Sequence, residues 1–563
     1  MDPNEREYIV TVTKEADWLE VHHDIIHDTT EDDNVDSEII PDRACSCSKE
    51  RANNKRNTHY FLTDAEAESL RQDPRILAVQ AVEEIPEPEP VAVQDGGFDK
   101  YSTASGQKDN WGLLRHTASN NIYGSSLADP GNNYEYVLDG TGVDIVIMDT
   151  GIQADHPEWE NASGVSRLKQ INWYTASGVS GTQPANFYTD VNSHGTHCAG
   201  TMAGKKFGWA KNADIYSLTT YGNDGNSIPF SDAVDCLIGW HNNKAINPDT
   251  GVKRPTVVNM SFQYSWYIDD SVTPNEISFT STGTGYAITG GNYRGDDHSV
   301  TTRDSLQFKG VVGSNRGKYM FGRKIASIDA DIEQLIDAGI HVCTAAGNDY
   351  MKIDIPGGSD YNNYLTFSYS GSSYMYYHRG PSPSVVEGGD SYTGGSKQDF
   401  NYNYLGVIVS PNGAADFHDG FDVGALDVSA ILSSGSYIDK KTDFSNSGPG
   451  VTIYAAGENI ISAVPDDTGF SYYYGDSGRQ AKKSGTSMAS PQVCGMIACL
   501  LQVHPDWTPA QVKKYFIGNS KPDMYQTAIN DYDFSVNTSI HGGNNRIAYF
   551  PMAAAKPFTY TAS

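Results

Sequence analysis

The 563-residue chain reads as an α/β protein: a doubly wound, mostly parallel sheet with helices on both faces, a small N-terminal α+β domain, and β-rich insertions. Three observations predict this. Short apolar runs such as Val143-Asp144-Ile145-Val146-Ile147-Met148 stop at Asp- and Gly-containing loops, as strands buried on both faces do. Helical periodicity lies between such runs, most plainly at Ile325, Ile328, Ile332, Leu335 and Ile336, and alternating strands and helices imply a parallel sheet. Composition also breaks near residue 95. Residues 1–95 hold 24 acidic and 9 basic residues, half of the chain's net charge of −30.

The elements follow in order. Tyr8-Ile9-Val10-Thr11-Val12 is a short strand, residues 14–26 are helical, and residues 28–58 form an acidic loop. His59-Tyr60-Phe61-Leu62 is a second strand; Thr63 then caps a helix in a T-x-x-E box with Glu66. Residues 76–82 close the unit. The run Ile85-Pro86-Glu87-Pro88-Glu89-Pro90 is a stiff extended linker, so one domain is assigned to 1–94 and a second to 95–563. Within the second, Val257-Val258-Asn259-Met260 and His341-Val342-Cys343-Thr344-Ala345 are further buried strands, and Gly339 ends the helix before the latter. Residues 264–324 and 350–420, rich in Gly, Ser, Thr and Tyr, are β-rich insertions, and an extension follows residue 522.

Composition excludes several classes. Hydrophobic residues at 38% and charged ones at 20% are globular values. The negative balance argues against nucleic acid as a partner, and no stretch approaches the roughly 20 apolar residues of a membrane helix. The start, MDPNEREYIV, lacks the features of a signal peptide, which favours an intracellular or particle-associated protein over classical secretion. Seven cysteines are odd in number and thinly spread; free buried thiols are expected rather than a disulfide scaffold. Cys45-Ser46-Cys47 with His22, His23 and His27 fits no usual metal spacing and reads as a solvent loop.

Three motifs carry chemistry. Asp149-Thr150-Gly151 ends a buried strand, His194-Gly195-Thr196-His197-Cys198-Ala199-Gly200-Thr201 opens a helix, and Ser484-Gly485-Thr486-Ser487-Met488-Ala489-Ser490-Pro491 opens another, over residues 493–503. Singly, each has a dull explanation; together they compose an acyl-transfer site. A serine hydroxyl needs a neighbouring base. Ser487 sits where helix N–H groups and the positive dipole end favour an oxyanion, His194 is the base and Asp149 its orienter. Asn348, in Ala345-Ala346-Gly347-Asn348-Asp349, offers a side-chain oxyanion donor.

The order Asp–His–Ser resembles that of the subtilases, the subtilisin-like serine proteases. The match runs over about 111–522, in wording similar to the proteinase K branch, including Trp111-Gly112-Leu113-Leu114-Arg115. The resemblance implies a subtilisin-like fold and a serine endopeptidase acting on polypeptides. It also implies that Ser261, Phe262 and Gln263 flank the primary specificity pocket, with Ala345, Ala346 and Gly347 as its opposite wall and Leu218, Tyr221 and Gly222 on the second substrate-flanking strand. Gln263 stands where glycine is usual and narrows or roofs the pocket. Asp349 either biases it towards basic side chains or is a solvated rim charge. The loop after Gly204 is too short for the family's strong calcium site; no cofactor is required for catalysis, and a structural calcium has no assigned site. The N-terminal domain resembles the ferredoxin-like propeptide, an inhibitor removed by self-cleavage, here placed between about 93 and 110. The rival reading is a scaffold on this fold whose insertions mediate assembly and which cuts only itself.

Overall fold

The computed structural model describes residues 5–26, 44–85, 88–90, 111–121, 136–222, 225–264, 325–348, 353–355, 358, 419–431, 434–466, 478–525, 540 and 542–553, and the backbone of short strands within 266–321, 363–378 and 473–475. The N-terminal unit contains β1 (Arg6–Val12), α1 (Trp18–Ile26), β2 (Ser46–Lys49), β3 (Asn57–Leu62), α2 (Asp64–Leu70) and β4 (Ile76–Ala81). Its antiparallel sheet has the order β2-β3-β1-β4. Tyr8, Val10, Val12, Tyr60, Leu62 and Val79 bury one face against Val21, Ile25, Ala67 and Leu70 of the helices. Thr63 and Glu66 make the reciprocal capping box. Strand β2 lies inside the expected loop. Its Ser-Cys-Ser-Lys sequence forms a mostly exposed edge, so no apolar alternation announces it, and Cys45, expected in solvent, is buried.

Residues Glu89–Pro90 form β5. The central sheet then comprises β6 (Asp144–Asp149), β7 (Asp214–Thr219), β8 (Thr256–Met260), β10 (His341–Ala345), β11 (Phe421–Ile431), β12 (Tyr437–Lys441) and β13 (Ile453–Ala456); β9 (Phe262–Gln263) follows β8 outside it. The order is β12-β11-β10-β8-β6-β7, with β13 also beside β11. All pairs are parallel except β11–β12. The apolar runs are continuous because both faces are covered. On one face Ile145, Ile147, Val257 and Cys343 pack with α3 (His194–Ala203), α6 (Thr486–Val503) and α7 (Pro509–Asn519). On the other, Val146, Met148, Val258 and Val342 pack with α4 (Phe230–Asn243) and α5 (Ala326–Asp337). Helix α6 is long and apolar enough to cross a membrane, with mean hydropathy 1.2, which corrects the expectation that no stretch is; it is 89% buried within the protein and is the core helix of the sheet.

The two insertions are one structure. Strands within 266–321 and 363–378 form an eight-stranded antiparallel sheet, joined where Ala287 pairs with Ser368 and Asn292 with Tyr364. The N-terminal unit packs on α5 through β1, β3 and β4. Its contact is ionic: Arg51 lies between Asp235 of α4 and Asp331 of α5 at 2.9 and 3.0 Å, all three side chains buried. Lys49 meets Asp232, Arg56 meets Glu333 at 2.7 Å, and Lys14 meets Asp337 at 2.7 Å. The acidic unit thus turns four of its cations, Lys14, Lys49, Arg51 and Arg56, to acidic side chains of the rest of the chain.

Candidate active site

Parallel strands deliver their carboxyl ends to one edge, and the three motifs meet there. Asp149 ends β6, and its Oδ1 faces His194 Nδ1 at 2.7 Å with both side chains buried. The imidazole therefore donates from Nδ1 and presents Nε2 as its basic atom. His194 Nε2 has no hydrogen-bond partner among the described residues. Ser487 Oγ donates instead to the Ser261 carbonyl at 3.3 Å, so the nucleophile and its base are not hydrogen-bonded to each other; such bonds commonly tighten only when substrate binds. Cys198 fixes the adjacency. One turn after His194, its sulfur lies 3.9 Å from His194 Nδ1 and 3.3 Å from the Ser487 carbonyl.

That carbonyl is available because Pro491, four residues on, has no N–H to give it; Cys198 and the Ser261 hydroxyl, at 3.3 Å, take the place of the helix bond. Burial pushes the Cys198 thiol well above its ordinary pKa, with Asp149 adding to the shift, so it packs as a neutral group. Asp149, His194 and Cys198 are also the one cluster of metal-ligating side chains among the described residues, their ligand atoms within 4.8 Å.

Asn348 follows the end of β10. Its Oδ1 accepts from the N–H and the hydroxyl of Thr486, both at 2.8 Å. The oxyanion role expected of this side chain would fall to the other end of the amide, Nδ2. Asn348→Leu is expected to lower kcat about 100- to 1,000-fold with KM little changed, as peptide-anilide kinetics would register; an unchanged kcat would remove Asn348 from the site.

The expected pocket residues separate into groups. Ser261, Phe262 and Gln263 are buried, with Ser261 tied to Asn259 at 2.9 Å. Ala345 ends β10, the Ala346 carbonyl accepts from Asn446 at 2.8 Å, and Gly347, at φ 98°, donates to Thr486 Oγ1 at 3.0 Å. A Cβ on Gly347 would stand 3.7 Å from Gln263 Oε1 and 2.4 Å from Asn446 Nδ2, so the two walls approach each other at Gln263. Tyr221 is buried with its ring 5.1 Å from Phe262, and Gly222 turns at φ 68° beside Thr150. Leu218 is fully buried in the core with Val146 and Met148, in the same cluster as Tyr221 and Phe262. Asp349 lies outside the described residues.

Two residues escaped the sequence reading. Asp190 is buried and accepts from Asn192 N, Ser193 N, Thr196 N, Thr196 Oγ1 and Thr150 Oγ1 at 2.6–3.0 Å. It caps the helix of the base and ties that helix to the Asp-Thr-Gly turn. An aspartate just ahead of a helix is a capping signal that the sequence could have offered. Lys483 is the other, buried beside Ser193.

The subtilase family model matches residues 140–537, more than half of the chain. The chain belongs to the subtilase family. This subtilase is 23% identical over 417 residues to a subtilisin-like serine protease of Cochliobolus lunatus, spanning 72% of the chain and 54% of that protein. It is 24% identical over 451 residues to a putative subtilisin-like proteinase of Encephalitozoon cuniculi, spanning 78% and 71%. The chain spans about half the length of most curated relatives it matches. Among solved structures, it is similar to fervidolysin from Fervidobacterium pennivorans, a keratinolytic enzyme related to subtilisin, at 16% identity and TM-score 0.47, covering 99% of the chain and 62% of that structure.

Proposed function

We propose that the subtilase is a serine endopeptidase made as a self-processing zymogen. The observation that carries this reading is the buried Asp149–His194 pair, whose basic Nε2 has no hydrogen-bond partner among the described residues and whose helix meets the Ser487 carbonyl through Cys198. Ser487 Oγ attacks the scissile carbonyl carbon while His194 Nε2 takes its proton. The oxyanion is met by Asn348 Nδ2 and the Ser487 N–H at the start of α6. Collapse expels the amine, which leaves with the proton from His194, and an ester on Ser487 remains. Water, deprotonated by the same imidazole, hydrolyses it.

The zymogen reading rests on β5. Glu89 pairs antiparallel with Gln263, and Pro90 with Phe262, so the linker of the N-terminal unit lies as an added strand where the resemblance expects substrate backbone. Continuing that register by one residue reaches Ser261, whose carbonyl touches Ser487. The first cut is therefore expected after Pro90 and before Trp111. The latter is anchored: its indole donates to the Glu458 carbonyl at 2.9 Å, and Arg115 pairs with buried Asp439 at 2.8 Å.

Polypeptides are the substrates, and Gln263 favours a small side chain before the cut. Gln263→Gly is expected to raise kcat/KM for Phe over Ala at that position roughly tenfold; an unchanged ratio would place Gln263 outside the pocket. The reading as a whole is tested by intact mass after treatment with a fluorophosphonate. One adduct on Ser487 of a fragment beginning between 91 and 111 supports it. A chain that stays at full length, and takes up no phosphonate even once the N-terminal unit has been removed, refutes it.

A further inference from the structure

Ser193 precedes the base with φ 77°, the left-handed region that residues bearing a Cβ rarely adopt. It occupies the N-cap position of α3, yet its hydroxyl caps nothing, because Asp190 does the capping. The hydroxyl meets the ammonium of Lys483 at 3.0 Å instead. Lys483 is 3% exposed. It ends β15 (Gly478–Lys483), where it pairs with Ile460 of β14 (Ile460–Ala463), and lies four residues before Ser487. Burying an ammonium is costly, and packing alone gives no reason for a cation between the helix of the base and the loop of the nucleophile.

We propose that Lys483 is a positioning residue of the catalytic pair: its bond to Ser193 ties the loop carrying Ser487 to the start of the helix carrying His194. The inference rests on the serine-protease reading. A second bond holds the same elements together, since His197 Nε2 lies 3.1 Å from both the Ile460 and Ala481 carbonyls.

The test uses the self-processed chain. Lys483→Met keeps the apolar stem and removes the charge and the bond. Expected are a fall in kcat of about 10- to 100-fold with KM within about twofold and a parallel fall in the rate of fluorophosphonate labelling. Lys483→Arg restores the donor and should recover most of the rate. Ser193→Gly removes the hydroxyl and relaxes the backbone; it should lower kcat in the same way with KM little changed. Wild-type kcat and labelling in Lys483→Met would overturn the inference while the serine-protease reading stood. An unlabelled wild-type chain would instead defeat that underlying reading. Should Lys483→Met fail to fold, a wild-type kcat in Ser193→Gly would overturn the tie.

Discussion

Ser487→Ala is expected to yield a chain that stays at its full 563 residues, takes up no phosphonate, and turns over peptide anilides about a million-fold more slowly than wild type. The magnitude follows from how the site works. Asp149 and His194 have no function in acyl transfer except through the serine oxygen, so removing that atom forfeits the contribution of all three at once, and only binding and the Asn348 amide remain. The substitution removes one hydroxyl, whose recorded bond is the 3.3 Å contact to the Ser261 carbonyl, and folding is expected to survive it. Mass spectrometry and anilide kinetics on the purified variant decide the matter. Self-cleavage between 91 and 111 at the wild-type rate in Ser487→Ala would assign the nucleophile elsewhere.

The second large effect concerns the N-terminal unit. Arg51 is fully buried, its guanidinium shared between Asp235 and Asp331 from two different helices. Asp235 also accepts the backbone N–H groups of Ala52, Asn53 and Asn54 at 3.1–3.2 Å. Asp331 accepts the Asn54 and Asn57 amides at 2.7 and 3.1 Å. Arg51→Met removes the cation and leaves two buried carboxylates on the other side of the interface. Breaking a buried ion pair from one side costs about 3–5 kcal/mol, which corresponds to roughly 100- to several thousand-fold weaker retention of the severed unit. The expected result is that Arg51→Met protein gains activity with little lag after self-cleavage, and that its N-terminal fragment separates on size exclusion while the wild-type fragment co-elutes. Exposed pairs such as Lys14–Asp337 are worth far less, so Lys14→Met should change the lag little. Equal lags for Arg51→Met and wild type would show that the ionic contact does not hold the unit.

Much of this architecture is legible in the chain itself. The strands at 144–149, 256–260 and 341–345 are visible because a sheet covered on both faces demands continuous apolar runs, and helix Ala326–Asp337 because its isoleucines and leucine recur at helical spacing on the side that meets the sheet, the polar side being covered by the N-terminal unit. The capping box at Thr63 is visible because it is local. What is missed is what depends on distant partners. Strand Ser46–Lys49 has no apolar signature, and its formation depends on Tyr60 and Phe61 lying opposite. The two insertions become one sheet only through the pairing of residues near 288 with residues near 367.

The active site divides along the same line. The identities of Asp149, His194, Ser487 and Asn348 were determined by sequence alone, because strand ends, helix starts and the chemistry of acyl transfer restrict those positions to a few residue types within short motifs. Two features were decided only by tertiary structure: the cap that Asp190 places on the helix of the base, and the contact of Lys483 with Ser193. Each joins elements brought together by folding, and Lys483 and Ser193 are 290 residues apart in the chain. Hydrogen bonds and burial act over a few ångströms of space, whatever the separation along the chain. Motifs therefore name the reacting atoms, and the packing of the sheet decides which other groups hold them in place.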